Sequence, residues 1–276
     1  MLPIENHENA LEQLLQAGSE HAFLFTDQGI VVDNSTNEPL LSWLPNVQKM
    51  HFSIDVVHLD GKTLIMKGST PLNAAELADL GYCILSIRAV LNQATSMTEN
   101  KIVRAYHWLN WDAHSRYCGK CGSVLTSSFD KPEKRCAQCD IIIFPKASPA
   151  VMVLLHRKNE LLLARSPHFQ PGVYSAIAGF VEIGESAEEA ARRETYEELG
   201  LKIGDLRYFS SQTWPFPDSF MMAFTSSDPQ GELILDATEI EDAKWFNVRN
   251  LPTLPTKASI SRRLIESTVQ LLLEGH

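Results

Sequence analysis

The sequence predicts a mixed α/β chain (α+β / α/β) in three parts: a small β-rich N-terminal domain, a compact cysteine-rich module, and a C-terminal mixed sheet covered by helices on both faces. Three observations predict it. Two CxxC pairs, Cys118/Cys121 and Cys136/Cys139, stand 14 residues apart in mid-chain. Short apolar runs bounded by Gly, Asp and Asn fill the first 75 residues. After the cysteines, strand-like runs are interrupted by one helical stretch and closed by another. A chain of 276 residues is long for one ordinary domain, and the boundaries are set at 1–114, 115–145 and 146–276.

In order, "HAFLFTD", "GIVVDN", "FSIDVVHLDG" and "KTLIMKG" read as strands. From Asn73 to His114 the apolar spacing turns helical, through "AAELADLGYCILSIRAVLNQ" and "NKIVRAYHWLNWDAHS". Cys83 in this stretch lacks a paired partner and reads as a small buried side chain. Beyond the second cysteine pair, "AVMVLLHR" and "ELLLAR" form a hairpin around a Lys-Asn turn. "GVYSAIAGF" is a further strand, followed after the acidic helix by "LRYFSSQTW", "SFMMAFTSS" and "ELILDATEIEDAKWFNV". A helix from about Ser259 to Glu274 closes the chain.

Charge and hydropathy exclude some functions. A net charge of −10 argues against broad electrostatic capture of nucleic acid, which needs basic surface to displace counterions. It does not exclude an anionic substrate, because bound divalent cations reverse the local sign. The first residues, "MLPIENHENALEQLLQAG", lack the basic start and apolar run of a signal peptide. No apolar run approaches the roughly 18 to 20 residues that span a bilayer. The expectation is a soluble cytoplasmic protein with no membrane partner.

The four cysteines point to zinc. Paired CxxC turns joined by a short loop bring four thiolates to one tetrahedral ion, and four protein ligands leave no open position, so the metal is structural. A redox dithiol would need only one pair. Lys120, Lys131, Lys134, Arg135 and Lys146 make the ribbon mildly basic, but Asp130, Glu133 and Asp140 offset much of that. A stapled structural module is the stronger reading than a nucleic-acid-binding ribbon.

The stretch "GFVEIGESAEEAARRETYEELGL", Gly179 to Leu201, holds seven glutamates in 23 residues. Ser186 is an N-cap with Glu189 completing a capping box, and Gly200 is a C-terminal stop. The helix is therefore expected over Ala187–Leu199. At 100° per residue, Glu194, Glu198 and Glu197 fall at about 0°, +40° and −60°, inside one arc. Glu188–Arg192 and Glu189–Arg193 have the favourable i,i+4 order. A solvated acidic face explains Glu188 and Glu189 but not the arc. Three carboxylates with little cationic compensation suit magnesium or manganese, which can grip a diphosphate and activate water; a carboxylate beside them can act as general base.

This stretch closely resembles the signature of the Nudix hydrolase family. Gly179, Glu185, Arg193, Glu194, Glu197, Glu198, Gly200 and Leu201 fit it. Thr195, where an aliphatic residue is usual, is a departure expected to affect packing. A second element, "SQTWPFPDS", resembles the SQPWPFPxS run of the NADH pyrophosphatase (NudC-like) subfamily, with Thr213 replacing a proline. The resemblance covers the chain from about residue 80 onward.

The resemblance implies a Nudix α/β/α sandwich with a mixed sheet, behind a zinc ribbon. It implies hydrolysis of NADH or NAD to (reduced) nicotinamide mononucleotide and AMP, and removal of NAD caps from RNA 5′ ends. Glu194 and Glu198 would hold more than one catalytic Mg or Mn ion, Glu197 would assist or act as base, and the Ala178 carbonyl and Glu239 would complete the metal site. Gly179, Glu185 and Arg193 would shape the loop and helix. Substrate contacts would come from Phe144, Phe180, Gln212, Thr213, Trp214, Pro215, Phe216, Pro217, Asp218, Ser219, Ser261 and Arg88. Ser261 replaces a common alanine, and Lys131 stands where some relatives place an acidic contact. The family implies a homodimer carrying one structural Zn per chain. Two alternatives stay open: a Nudix hydrolase of another diphosphate, such as ADP-ribose or a dinucleoside polyphosphate, and a non-catalytic binding adaptor.

Overall fold

The structure, a computed structural model, describes residues 21–39, 54–60, 63–68, 73–93, 96–127 and 131–274. The expectations for the N-terminal 20 residues lie outside these. The chain forms two compact units, 1–146 and 147–276. No helix among the described residues is long and apolar enough to cross a membrane.

The first unit holds a five-stranded sheet of β1 (His21–Thr26), β2 (Gly29–Asp33), β3 (Ile54–Asp60), β4 (Thr63–Gly68) and β5 (Tyr82–Leu85), in the order β3-β4-β1-β2-β5. Only β1 and β4 run parallel. Among the described residues three helices accompany it: α1 (Ala74–Asp79), α2 (Ile87–Leu91) and α3 (Ser96–His114). Sequence periodicity reads 73–92 as one helical stretch, and here the structure differs. Gly81, at φ 84°, ends α1 in the left-handed conformation. The apolar run Tyr82–Leu85 then pairs with Ile30–Asp33 as an edge strand, because "YCIL" gains more by joining a sheet than by extending a six-residue helix. Cys83 is half-buried on that strand.

A three-stranded ribbon follows: β6 (Thr126–Ser127), β7 (Lys134–Cys136) and β8 (Ile141–Ile143). Its small core is Leu125 packed with Cys118 and Cys136. Lys134 is not part of a basic surface. Its ammonium is buried, donating to the Asp112 and Ser115 carbonyls at 2.7 and 2.8 Å and pairing with the Asp112 carboxylate at 2.8 Å. A cation there satisfies carbonyls that the last turn of α3 leaves unpaired.

The second unit is a mixed sheet in the order β12-β13-β9-β10-β14, with β11 also paired to β9. Its strands are β9 (Ser148–Arg157), β10 (Glu160–Arg165), β11 (Ile177–Phe180), β12 (Arg207–Trp214), β13 (Ser219–Ser227) and β14 (Asp242–Asn247). β9 runs parallel to β13 on one edge. Its other edge is shared: residues 155–157 pair with β10 and 150–153 with β11. Successive side chains of β9 point to opposite faces. Val151, Val153 and Leu155 pack under α4 (Ala187–Leu199), while Ala150, Met152 and Leu154 pack under α5 (Ile260–Glu274). Both faces are covered, as the near-continuous apolar run of β9 requires. The expected long strand over 232–248 shortens to β14. Instead, Ile234 and Asp236 donate backbone N–H bonds to the Leu199 and Glu198 carbonyls at 2.9 and 3.1 Å, closing the C-terminus of α4.

Candidate active site

The acidic helix α4 is built as its local signals dictate. The Ser186 hydroxyl accepts from the Glu189 amide and the Glu189 carboxylate accepts from the Ser186 amide, so both halves of the capping box are present. Gly200, at φ 69°, ends the helix in the left-handed region. Thr195 is fully buried, and its hydroxyl donates to the Ala191 carbonyl at 2.7 Å, which satisfies the polar atom that the motif departure introduces.

The arc of three glutamates is not uncompensated. Arg193 donates to Glu194 at 2.8 Å and to Glu197 at 2.9 Å from one nitrogen. Its other nitrogens hold Glu185 at 2.6 and 2.9 Å and the Phe180 carbonyl at 2.9 Å. The i,i+4 partnership expected between Glu189 and Arg193 gives way to this fork, because a guanidinium can bond several carboxylates at once. Arg192 likewise turns to the carbonyls of Ile203 and Gly204.

Glu198 lies outside the fork. It is buried, and its Oε2 has no hydrogen-bond partner. Burial, with the charges of Glu194 and Glu239 added, pushes its carboxyl up to about 8. Glu194 is also raised, first by burial, although Arg193 opposes the shift. Glu185 moves the other way, lowered by Arg193. A buried carboxylate without partner costs several kcal/mol, and a divalent cation among these oxygens removes that cost. The residues therefore fit a magnesium- or manganese-type ion.

Gly179 explains how α4 comes so close to β11. A Cβ at this position would lie 1.9 to 2.1 Å from the Glu194 carboxylate. Glu194 is thus laid directly over the glycine backbone, beside Ala178.

Glu198 opens into a cavity of about 550 Å³ that Ala178 and Glu239 also line. Asp236 accepts from the Thr238 amide at 2.9 Å, a tight turn that sets Glu239 on the rim. Sequence reasoning missed several lining residues, notably His168, Phe169 and Met152. The loop "SPHFQPG" offered an aromatic between prolines as the only signal, and Met152 reads simply as strand core.

The remaining candidates are dispersed. Phe180 is 52% exposed at the end of β11 and does not line the cavity. Gln212 spans the start of α5, donating to the Ala258 carbonyl at 2.7 Å and accepting from the Ile260 amide at 2.6 Å. Thr213 pairs with Phe220 and Trp214 with Ser219 in the β12–β13 hairpin. Trp214 meets Phe216 edge-on at 5.5 Å; Pro215 and Ser219 are buried and Pro217 is exposed. Asp218 accepts from the Ser148 amide at 2.8 Å and hydroxyl at 3.1 Å. Ser261 is buried on α5, its hydroxyl 2.7 Å from that of Ser175, which lines the cavity. Arg88 on α2, Phe144 and Lys131 belong to the first unit and are exposed.

In that unit the four cysteine sulfurs all lie within 4.8 Å of one another, with Cys121 and Cys136 at 3.5 Å. Tetrahedral zinc with Zn–S near 2.3 Å sets sulfurs roughly 3.8 Å apart, so the cluster fits the ion. Bonds from Ser123 draw the Cys121 thiol down to about 6, while bonding to Cys121 pushes Cys139 up to about 12. Such unequal sharing of protons is what one dication replaces.

A model of the NUDIX domain matches residues 146–267. An NAD-capped RNA hydrolase NudC from Chromobacterium violaceum is 44% identical over 198 residues, 72% of this chain and 72% of that protein. A protein of the same name from Pseudomonas fluorescens is 36% identical over 265 residues, 94% of this chain and 90% of that protein.

Proposed function

The chain belongs to the Nudix hydrolase family, and from that premise we propose that it hydrolyses the diphosphate bond of NADH or NAD, giving (reduced) nicotinamide mononucleotide and AMP. In NAD-capped RNA the same bond joins nicotinamide mononucleotide to the 5′ phosphate of the first adenosine, and the relatives' name supports decapping as a second substrate form. The observation that carries the reading is Glu198, which is buried with an unpartnered oxygen and lines a cavity shared with Glu239.

Glu194, Glu198, Glu239 and the Ala178 carbonyl would hold magnesium or manganese, more than one ion per site. Bound there, the ions neutralise the diphosphate and lower the pKa of water. Arg193 fixes Glu194 and Glu197 relative to each other and ties the helix to the Phe180 carbonyl. Glu197, half exposed and paired with Arg193, would assist the metal site or act as base toward the attacking water. Water adds to one phosphorus, and the bridging oxygen leaves with the other mononucleotide. Gly179 lets Glu194 reach its place. The 212–219 hairpin and Ser261 shape the pocket through α5, and Phe180 contributes a substrate contact.

The cysteines hold one structural zinc, with residues 115–145 as a module of their own. A cytoplasmic homodimer completes the proposal; sedimentation velocity at micromolar concentration should give twice the chain mass, and a monomer would remove that part. Incubating the chain with NADH, NAD, ADP-ribose and NAD-capped RNA, with and without each ion, tests the rest. We expect ion-dependent release of AMP from NADH, and loss of at least about 10³ in kcat for Glu198→Gln with an unchanged circular dichroism spectrum. Uncut dinucleotides under every ion would overturn the reading.

A further inference from the structure

The cavity that holds Glu198 and Glu239 has a second, different wall. Met152, Ile177 and Phe169 contribute apolar surface to it, and no lysine or arginine lines it. Phe169 is 39% exposed, so its ring presents open face and edge to a ligand in the cavity it lines. Its backbone is held in place. The Phe169 amide donates to the Ser166 carbonyl at 3.0 Å, and the Arg165 guanidinium reaches the carbonyls of Ser166 and Phe169 at 3.4 Å each. Arg165 is itself anchored, by Glu241 at 2.9 Å and by the pairing of β10 with β14. An exposed ring on a tethered loop, facing a cavity, is a preformed stacking surface.

The proposed substrate has two flat rings on either side of one diphosphate. Phe180 offers its exposed ring outside the cavity. A diphosphate held through divalent ions at Glu198 and Glu239 would set one of its two nucleosides against the cavity that these residues line.

We propose that Phe169 is a specificity-determining residue, the stacking wall for one of the two heterocycles of a dinucleotide diphosphate. This rests on the diphosphate hydrolase reading above. Away from Glu198 and Glu239 the lining is mostly apolar or small, so that side accepts a flat ring and discriminates against a bare phosphate or sugar.

The test compares Phe169→Ala, Phe169→Leu and Phe169→Trp with the wild type. KM and kcat are measured for NADH, and inhibition constants for AMP and for nicotinamide mononucleotide. Stacking of one base against an aromatic supports a rise of about tenfold in KM for the Ala and Leu variants, with kcat within about twofold, and Trp should restore the wild-type KM. Leu keeps apolar bulk without a ring, so it separates stacking from packing. The inhibition constant of one mononucleotide should rise with KM while the other's stays, which identifies the ring in the cavity. Unchanged KM and inhibition constants in both ring-less variants, on a wild type that cleaves NADH, would overturn the proposal and leave the hydrolase reading intact. A wild type that cleaves no dinucleotide would overturn both.

Discussion

Glu198 is where chain chemistry and proton chemistry compete for one site. Its carboxyl is raised from 4.5 to about 8 in the folded chain, chiefly by burial. A raised folded value means the native state holds the proton more tightly than the unfolded state. The resulting stabilisation is fully present below about pH 4.5 and is lost as pH climbs toward 8. Without added divalent ion, the second unit should therefore be less stable at pH 8.5 than at pH 5.5 by on the order of a few kcal/mol, and so melt at a lower temperature. Magnesium or manganese should reverse the trend, because the ionised carboxylate is the form that binds metal. Melts at the two pH values, with the ion withheld by dialysis so that the ribbon is not stripped by chelator, decide it; a flat profile without ion counts against the assignment. The angular arc of Glu194, Glu197 and Glu198 was legible from helical period alone, and the capping residues set its ends. What separates Glu198 from the other two was not. That distinction lies in the Arg193 fork, which is a choice of partners made in three dimensions.

β11 passes closely under α4 at Gly179. Gly179 could be read from the signature as a shaping residue, but its physical role is one of distance. With a methyl at this position, the Glu194 carboxylate would be met at 1.9 to 2.1 Å. The end of a flexible side chain moves more cheaply than backbone, so Gly179→Ala should displace Glu194 rather than unfold the unit. We expect kcat for NADH to fall by about 10² or more while thermal stability changes by about 1 kcal/mol or less. A variant with wild-type kcat would show that Glu194 does not need that position. The same scale explains two misreadings. "YCIL" belongs to a helical period locally, yet sheet pairing with β2 overrides it. Residues 232–236 look like strand, yet the Ile234 and Asp236 amides are taken by the end of α4. Partners distant in sequence decide both, and a single segment carries no trace of them. By contrast, the two-faced burial of β9 and the convergence of four cysteines are written in short-range patterns, and both were legible.

Across the whole molecule, the charge distribution bears on how an RNA substrate is held. The chain carries a net charge of −10, and the ribbon's Lys134 is withdrawn from the surface into a buried bond with Asp112. The mildly basic stretch read from sequence is thereby weaker than its composition suggests. Recognition of a capped RNA should then rest on the NAD moiety and its diphosphate, with few contacts to later phosphates. A protein neutralising six to ten phosphates loses about 10³ to 10⁵ in affinity between 50 and 200 mM salt. For this chain, KM toward NAD-capped RNA should change by less than about tenfold over that range at constant magnesium, corresponding to only one or two phosphate contacts. Lengthening the RNA from about 10 to 100 nucleotides should likewise leave KM within about threefold, since added phosphates find no basic track. A steep salt slope or a strong gain with length would reveal a cationic path that the net charge conceals, and would make RNA rather than the free dinucleotide the ligand that the surface is built to hold.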